Sequence, residues 1–178
     1  MRLALCTGLA LLCARAACLV ASIPGVPHAA RVDSNIYRGG QPSTRGFRNL
    51  AKAGIKTVLD LRASASRASK ERDEVQSAGM RYVQVPLHDD APPSQANVRK
   101  ALSVLNDSSR WPVFVHCDGG KDRTGMIIAC YRISHDGWSH AQALGEAKDC
   151  ASRDLKPAMR KYVMRFHPQR LAAAETAR

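Results

Sequence analysis

The chain has 178 residues, a length that suits one domain with one active site. Lysine and arginine outnumber aspartate and glutamate by 27 to 15, and the net charge of +12 favours an anionic partner such as a phosphate ester, a nucleic acid or an acidic membrane face. Aromatic residues make up only 5% of the chain, which argues against the alternating basic and stacking residues of a single-strand nucleic-acid platform. We therefore predict no nucleic-acid partner.

The N-terminus is typical of a secretory signal peptide. An apolar run from Leu3 to Cys13 is followed by small residues, and cleavage is expected after Ala16 or near Ala30. Arg15 argues against a permanent membrane span, because a charge inside one costs about 2.5–3.5 kcal/mol. We predict a signal peptide and linker over residues 1–30 and a periplasmic or secreted protein. The alternative is a protein anchored to the membrane by this segment, which is the only part expected to contact a membrane.

The cysteine pattern predicts free thiols. Three of the six cysteines fall in the leader and three in the rest of the chain: Cys6, Cys13 and Cys18, then Cys117, Cys130 and Cys150. An odd number in the domain, without paired spacing, argues against a disulfide framework. No CxxC, HExxH or clustered His/Cys pattern is present, so we predict neither a metal site nor a cofactor.

Beyond the leader, strands alternate with helices. A segment rich in Pro and Gly, Ser22–Ser34, is interpreted as a linker, so the folded domain is expected to begin near Val32. The patterns then predict, in chain order, a strand at 35–38, a helix at 43–54, strands at 55–62 and 81–87 on either side of a helix at 66–78, a helix at 94–107, a strand at 112–116, and helices at 124–135, 139–151 and 156–166. This alternation predicts a single α/β domain over residues 31–170, with a largely parallel central sheet flanked by helices, and a tail at 171–178.

The stretch "HCDGGKDRTG" lies between a predicted strand and a predicted helix, where ligands bind in such folds. Gly119 and Gly120 let several backbone N–H groups point inward, and the positive end of the helix completes a cradle for a phosphate dianion. The same field favours the thiolate form of Cys117. Arg123, six positions later, can hold two phosphoryl oxygens bidentately. The loop thus combines a nucleophile with an anion clamp.

The pattern Cys-x5-Arg-Thr-Gly, preceded by His116, resembles the signature of the cysteine-dependent protein tyrosine and dual-specificity phosphatases. The segments "NIYRGGQPS", "GIKTVLDLR" and "VPLHDD" are similar to the periplasmic dual-specificity phosphatases of bacteria. The resemblance implies that Cys117 takes the phosphoryl group, Arg123 binds it, and water then hydrolyses the cysteinyl phosphate. It also implies that Thr124 offers its hydroxyl to the departing thiolate, and that His116 orients the loop and tunes the thiolate without itself transferring protons. The other loop positions are expected to bind the phosphate: Asp118, Gly119, Gly120, Lys121 and Asp122.

The resemblance also requires an aspartate that protonates the leaving oxygen, and three remain candidates. The register of the periplasmic branch, in which the acid follows a histidine by two positions, selects Asp90. The register of other branches, in which the acid precedes a Pro-Pro pair by three positions, selects Asp89. Asp122, inside the "KDR" loop, is the third. We choose Asp90 as the expected general acid.

The expected function is hydrolysis of phosphoric monoesters through a cysteinyl-phosphate intermediate. The expected substrates are protein phosphotyrosine, with phosphoserine or phosphothreonine as further possibilities, or phosphoinositides. Lys121 favours multiply charged head groups, since it adds a second cation to the loop. The alternatives are a catalytically weak phosphate-recognition module, and sulfur or arsenate chemistry on a related cysteine loop.

Overall fold

The structure, a computed structural model, describes residues 18–169; the predicted leader up to residue 17 and the tail at 171–178 lie outside this range. The elements, in chain order, are β1 (Leu19–Val20), β2 (Ala30–Arg31), β3 (Ile36–Gly39), α1 (Thr44–Lys52), β4 (Thr57–Arg62), α2 (Ala65–Ser77), β5 (Arg81–Leu87), α3 (Gln95–Asn106), β6 (Val113–His116), α4 (Asp122–His135), α5 (His140–Ala151) and α6 (Pro157–Met164). The predicted α/β alternation is confirmed.

The central sheet has the strand order β1-β2-β3-β6-β4-β5. β6 pairs in parallel with both β3 and β4, and β4 pairs in parallel with β5. The short β1 and β2 lie at one edge, where β1 pairs antiparallel with β2 and β2 pairs antiparallel with β3. The largely parallel sheet predicted from the sequence is thus confirmed, and β6 lies near its centre.

Alternate residues of the central strands pack on opposite faces of the sheet. Leu59 and Val115 belong to a hydrophobic cluster with residues of α3, α4, α5 and α6. Their neighbours Val58 and Phe114 belong to a second cluster with residues of α1 and α2. Because both faces are covered by helices, β4 and β6 carry buried apolar residues on both sides of the sheet. Residues of β6 contribute to both clusters, so packing on both faces of the sheet fixes the position of the end of β6.

Local signals fix the helix ends. The Ser43 hydroxyl accepts a hydrogen bond from the Gly46 N–H at the start of α1, and Ser94 accepts one from Asn97 at the start of α3. Ser139 forms a capping box at the start of α5. These three helices begin where the sequence predicts, whereas α4 begins at Asp122, two residues before the predicted start, because its N-cap Lys121 makes no side-chain cap bond that marks the boundary.

The interpretation of Ser22–Ser34 as a linker is wrong. Val26, Ala29 and Ala30 are buried, and the Gly40 N–H donates to the Pro27 carbonyl at 2.7 Å. The Pro and Gly residues form turns that pack against the domain, so its folded part begins before Val32. Cys18, assigned to the leader, forms a disulfide with Cys150 in α5. The prediction that argued against disulfides is therefore wrong for this pair, whereas the expected free thiols are present at Cys117 and Cys130.

Within residues 18–169, no helix has the length and apolar character needed to cross a membrane.

Candidate active site

The phosphate loop, defined here as residues 117–123, joins the end of β6 to the start of α4. Cys117 follows β6 directly, is 2% exposed and carries a free thiol. The loop lies at the carboxyl edge of the parallel strands, where α/β sheets bind ligands. The sequence prediction that Cys117 opens a strand-to-helix loop is therefore correct in geometry.

Glycine is required where the loop meets the turn after β3. Gly120 has a φ of +68°, and a Cβ there would stand 2.4 Å from the backbone carbon of Gly39. Such a contact exceeds what backbone atoms can accommodate, so only glycine fits. The Gln41 N–H donates to the Asp118 carbonyl at 2.9 Å and ties the same turn to the loop. The β3–α1 turn thus acts as a rigid support for the phosphate loop.

A buried cation lies beneath the loop. Arg38 is 2% exposed and donates from Nη2 to the Gly120 carbonyl at 2.8 Å. Burial lowers the pKa of Arg38 to about 10, against the opposing influence of Glu146 and Cys117. Arg38 therefore stays charged at neutral pH. Its positive charge interacts favourably with a negative charge at Cys117.

Arg123 points toward the mouth of the loop, where it meets two carboxylates. It is 5% exposed; its Nη2 lies 2.8 Å from Asp118 Oδ2, and its Nε lies 2.8 Å from Asp89 Oδ1. Burial lowers the pKa of Arg123, but its hydrogen bond to Asp118 and the charges of Cys117 and Asp89 outweigh burial and raise the pKa. Nη2 donates hydrogen bonds to Asp118 and, at 3.3 Å, to Asp89 Oδ2, whereas the close Nε contact is an ion pair without hydrogen-bond geometry. The guanidinium is thus a fixed cation that already holds two carboxylates at the loop.

The two adjacent aspartates after β5 point in different directions. Asp89 contacts Arg123, whereas Asp90 has a side chain 93% exposed and pairs with Lys156 at 3.3 Å. The structure therefore brings Asp89, and not the sequence-based choice Asp90, to the phosphate-binding arginine. The side chain of Asp118, half-exposed, also pairs with Arg67 at 2.9 Å.

Asp122 is engaged on the side of the loop that faces α6. Its carboxylate accepts hydrogen bonds from both terminal nitrogens of Arg153 and from the Lys156 N–H, at 2.6–3.0 Å. Burial raises the pKa of Asp122, but these donors outweigh it and hold the pKa below its usual range. An ionised carboxylate with three donors anchors the loop to the start of α6 and has little tendency to carry a proton.

The remaining predicted site residues lie on the same loop or next to it. Lys121 is the N-cap of α4, its side chain is partly exposed, and its carbonyl accepts from the Gly125 N–H. The Thr124 hydroxyl is buried and has no hydrogen-bond partner within residues 18–169. Gly119 contributes backbone only, in open space. His116 is fully buried at the end of β6, with Nδ1 at 3.2 Å from the Cys117 carbonyl.

A buried polar cluster, which the sequence patterns did not predict, surrounds His116. His116 Nε2 lies 2.7 Å from Glu71 of α2, and Glu71 in turn bonds Arg62 of β4. Asp60 and Arg62, two charged residues within an apolar strand, were the only signal of this cluster in the sequence. Glu71 gave none, because it stands in a helix of mostly polar residues.

Comparison with known proteins defines the class. Residues 26–164 match the family described as "DSP-PTPase phosphatase fused to NAD+ Kinase", and this match covers more than half of the chain. The matched range includes Cys117 and Arg123, which lie on the loop between β6 and α4. The chain belongs to this dual-specificity phosphatase family.

Particular relatives include phosphatases of bacteria and plants. The chain is 32% identical to the dual specificity protein phosphatase TpbA of Pseudomonas aeruginosa over 117 residues, which are 65% of this chain and 51% of TpbA. It is 32% identical to the inositol diphosphatase DSP4 of Arabidopsis thaliana over 107 residues, 58% of this chain and 54% of DSP4. A crystal structure of a Cys-to-Ser variant of P. aeruginosa TpbA in complex with pTyr superposes with a TM-score of 0.74 at 26% identity, covering 90% of this chain and 97% of that one. The aligned part of the chain spans about half the length of these curated relatives.

Proposed function

We propose that the protein hydrolyses phosphoric monoesters through a cysteinyl-phosphate intermediate. The observation that carries this proposal is the pairing, on one loop, of a free buried thiol at Cys117 with the buried guanidinium of Arg123. Family membership supports it, as does the similarity to a relative whose solved structure holds phosphotyrosine.

The reaction takes place in two steps. The Cys117 thiolate attacks phosphorus, the bond from phosphorus to the leaving oxygen breaks, and an aspartic acid gives its proton to that oxygen. Water then attacks the phosphorus of the cysteinyl phosphate, the S–P bond breaks, and the water proton passes to the aspartate. Inorganic phosphate leaves and the thiolate is restored. Arg123 and the loop N–H groups bind the phosphoryl oxygens throughout.

Turnover of p-nitrophenyl phosphate at pH 5–7 in the presence of a chelator tests the proposal. We expect hydrolysis that does not depend on added metal and that releases inorganic phosphate. Binding of phosphate without turnover would leave only a phosphate-recognition module. Turnover of an arsenate or sulfur substrate with none of the phosphate ester would point instead to chemistry on a related cysteine loop.

We infer that Asp89 is the general acid, in place of the sequence-based choice Asp90. The ion pair from Asp89 to Arg123 supports this assignment, whereas Asp90 pairs with Lys156 at the surface. A phosphoryl group that binds Arg123 competes with the Asp89 carboxylate for the same N–H donors. The displaced carboxyl group then lies beside the phosphoryl group and its leaving oxygen, where it can deliver a proton.

Asp89→Asn is expected to slow hydrolysis of a tyrosine phosphate by about 10²–10⁴-fold, because the basic leaving oxygen departs without a proton. An activated aryl ester is expected to lose much less, and the basic limb of the pH profile should flatten. Asp90→Asn is the matched control, with the same change one residue away, and should stay within a few-fold of the wild type. A larger, leaving-group-dependent loss in Asp90→Asn would return the assignment to Asp90. If neither variant responds, Asp122 becomes the candidate.

We further propose that the substrates carry several negative charges, as phosphoinositides and clustered phosphoproteins do. Cations surround the mouth of the loop: Lys121 lies at the start of α4, and Arg67, Arg153 and Lys156 pair with aspartates of the site. The similarity to a plant inositol diphosphatase and to a bacterial dual-specificity phosphatase supports both substrate classes.

Lys121→Ala is expected to reduce kcat/KM on a phosphoinositide at least about tenfold more than on p-nitrophenyl phosphate, since only the former places further charge near the ammonium group. The matched control is Lys52→Ala at the exposed end of α1, which leads into the start of β4 and so lies at the opposite edge of the sheet. Equal losses on both substrates would show that Lys121 serves the shared phosphoryl group.

We propose that the protein is exported and that the mature chain begins just after Ala16. The disulfide from Cys18 to Cys150 supports an oxidising compartment, and cleavage near Ala30 would remove both this cysteine and the packed residues that follow it. N-terminal sequencing of protein from a fractionated bacterial host tests this. An intact Met1 on cytosolic protein, or a mature start near residue 31, would contradict it.

A further inference from the structure

A cluster of charged side chains lies buried directly behind the phosphate loop. Asp60 and Arg62 come from β4, Glu71 from α2 and His116 from β6, and each is less than 5% exposed. Arg62 donates to both carboxylate oxygens of Asp60, at 2.9 and 2.8 Å, and its Nη2 also bonds Glu71. Tyr82 of β5 donates its hydroxyl to Asp60 at 2.8 Å. Asp60, Glu71 and His116 bring donor atoms of the kind that bind metals close together, but Arg62 already supplies the cation there.

The charges of this cluster balance if His116 is protonated while both carboxylates are ionised. Asp60 and Glu71 contribute two negative charges and Arg62 one positive charge. Burial and the neighbouring Asp60 raise the pKa of Tyr82, so its phenol stays neutral. A net charge left in a buried cluster is costly. An imidazolium at His116 supplies the missing positive charge.

The hydrogen bonds of His116 lead to the same protonation state. Its Nε2 lies 2.7 Å from Glu71 Oε1, and its Nδ1 lies 3.2 Å from the Cys117 carbonyl. Glu71 Oε2 already accepts from the Arg62 guanidinium and from the Gln41 amide, as an ionised carboxylate does. An ionised carboxylate and a carbonyl can only accept hydrogen bonds. A neutral imidazole has one N–H and can satisfy one of the two, whereas an imidazolium has two and satisfies both.

Glu71 is also tied to the loop by a second route. The Gln41 side chain donates to Glu71 Oε2 at 2.8 Å, and the Gln41 N–H donates to the Asp118 carbonyl. From the remaining elements around Cys117, β3 contributes the cation Arg38 and the start of α4 contributes Arg123. A further positive charge at His116 therefore adds to a field that already favours a thiolate.

We propose that Glu71 is a positioning residue, which holds His116 as an imidazolium behind the phosphate loop and thereby keeps Cys117 in its thiolate form. The proposal rests on the role of Cys117 as nucleophile. Glu71 does not touch the substrate; it acts through His116, and its removal should alter the ionisation of the thiol more than the binding of substrate.

The test is the pH dependence of Cys117 alkylation by iodoacetamide in Glu71→Gln, followed by mass spectrometry of the Cys117 peptide. Glutamine keeps the shape of the side chain but removes its charge, so His116 loses its proton with it. The alkylation midpoint is expected to rise by about one pH unit, which slows alkylation about tenfold at pH values below both midpoints. Kinetics should show the same shift in the acidic limb, with kcat reduced and KM nearly unchanged.

The direction of the shift separates this proposal from a purely electrostatic effect. If His116 kept its charge, loss of the negative charge at Glu71 would lower the midpoint, and that result would overturn the proposal. An unchanged midpoint in the folded variant would also overturn it. Asp73→Asn is the matched control, since it makes the same charge change at an exposed position of α2 and should leave the midpoint in place.

A measurement on the unaltered protein covers the case in which Glu71→Gln does not fold. In ¹⁵N-histidine NMR spectra at neutral pH, the ring of His116 should show both nitrogens protonated and slow exchange with solvent, because it is fully buried. An unprotonated nitrogen on that ring would refute the proposal. Neither alkylation nor NMR requires turnover, so a failure of the proposal is distinguishable from the absence of phosphatase activity.

Discussion

Cys117→Ser is expected to reduce turnover of p-nitrophenyl phosphate by roughly 10⁴-fold or more, the size of loss seen when a covalent nucleophile is removed. The serine hydroxyl stays protonated in a field that ionises a thiol, so the bond to phosphorus does not form. The fold should persist, because the side chains are similar in size and Cys117 makes no disulfide. Inorganic phosphate should still bind, as isothermal titration calorimetry can show.

Cys130→Ala provides the matched control for this variant. Cys130 is the other free cysteine within residues 18–169 and is fully buried in α4, where burial strongly raises the pKa of its thiol. Its loss should cost some stability through a small cavity and leave turnover within a few-fold of the wild type. Substantial activity in Cys117→Ser, with the Cys130→Ala variant as active as expected, would exclude the covalent mechanism.

Arg123→Lys is expected to lower kcat by about 10²-fold or more, although the charge is retained. The guanidinium presents a planar fork, which now spans Asp89 and Asp118, and an ammonium group cannot hold two oxygens in that geometry. Steady-state kinetics on p-nitrophenyl phosphate measures the effect. Because charge is conserved, the loss reports geometry alone.

Arg67→Lys is the control, because it makes the same arginine-to-lysine exchange at the exposed rim of the active site. The side chain of Arg67 is 61% exposed and pairs with Asp118 on its outer side, so lysine should replace it with little loss. A loss of under about tenfold in Arg123→Lys, or an equal loss in both variants, would show that Arg123 does not clamp the transferred group.

The fold was predictable because its signals are local. The strand at 57–62 is predictable from its β-branched and leucine residues. The helices that begin after Ser43, Ser94 and Ser139 are predictable from these capping residues and the few positions that follow. The phosphate loop was predictable for the same reason, since its nucleophile, glycines and arginine are contiguous. Short-range patterns thus predicted the strands of the sheet and the position of Cys117 at the end of one of them.

Features that depend on distant residues were not predictable. Cys18 and Cys150 are 132 positions apart, and neither spacing nor composition pairs them. The segment 22–34 has the composition of a linker, and only its contacts with the turn before α1 show that it packs. The directions in which the Asp89 and Asp90 side chains point depend on the path of the loop after β5. The two family registers select different aspartates in this loop, so they could not predict which one contacts Arg123.

The bond from Cys18 to Cys150 turns most of the chain into a covalent ring. All four parallel strands and the phosphate loop lie inside that ring, and α6 lies outside it. One cut by a protease within the ring therefore opens the chain without detaching a fragment. A nicked molecule would migrate as a single species on a gel until a reductant separates its two pieces, and the halves of its active site would remain tethered to each other in the meantime.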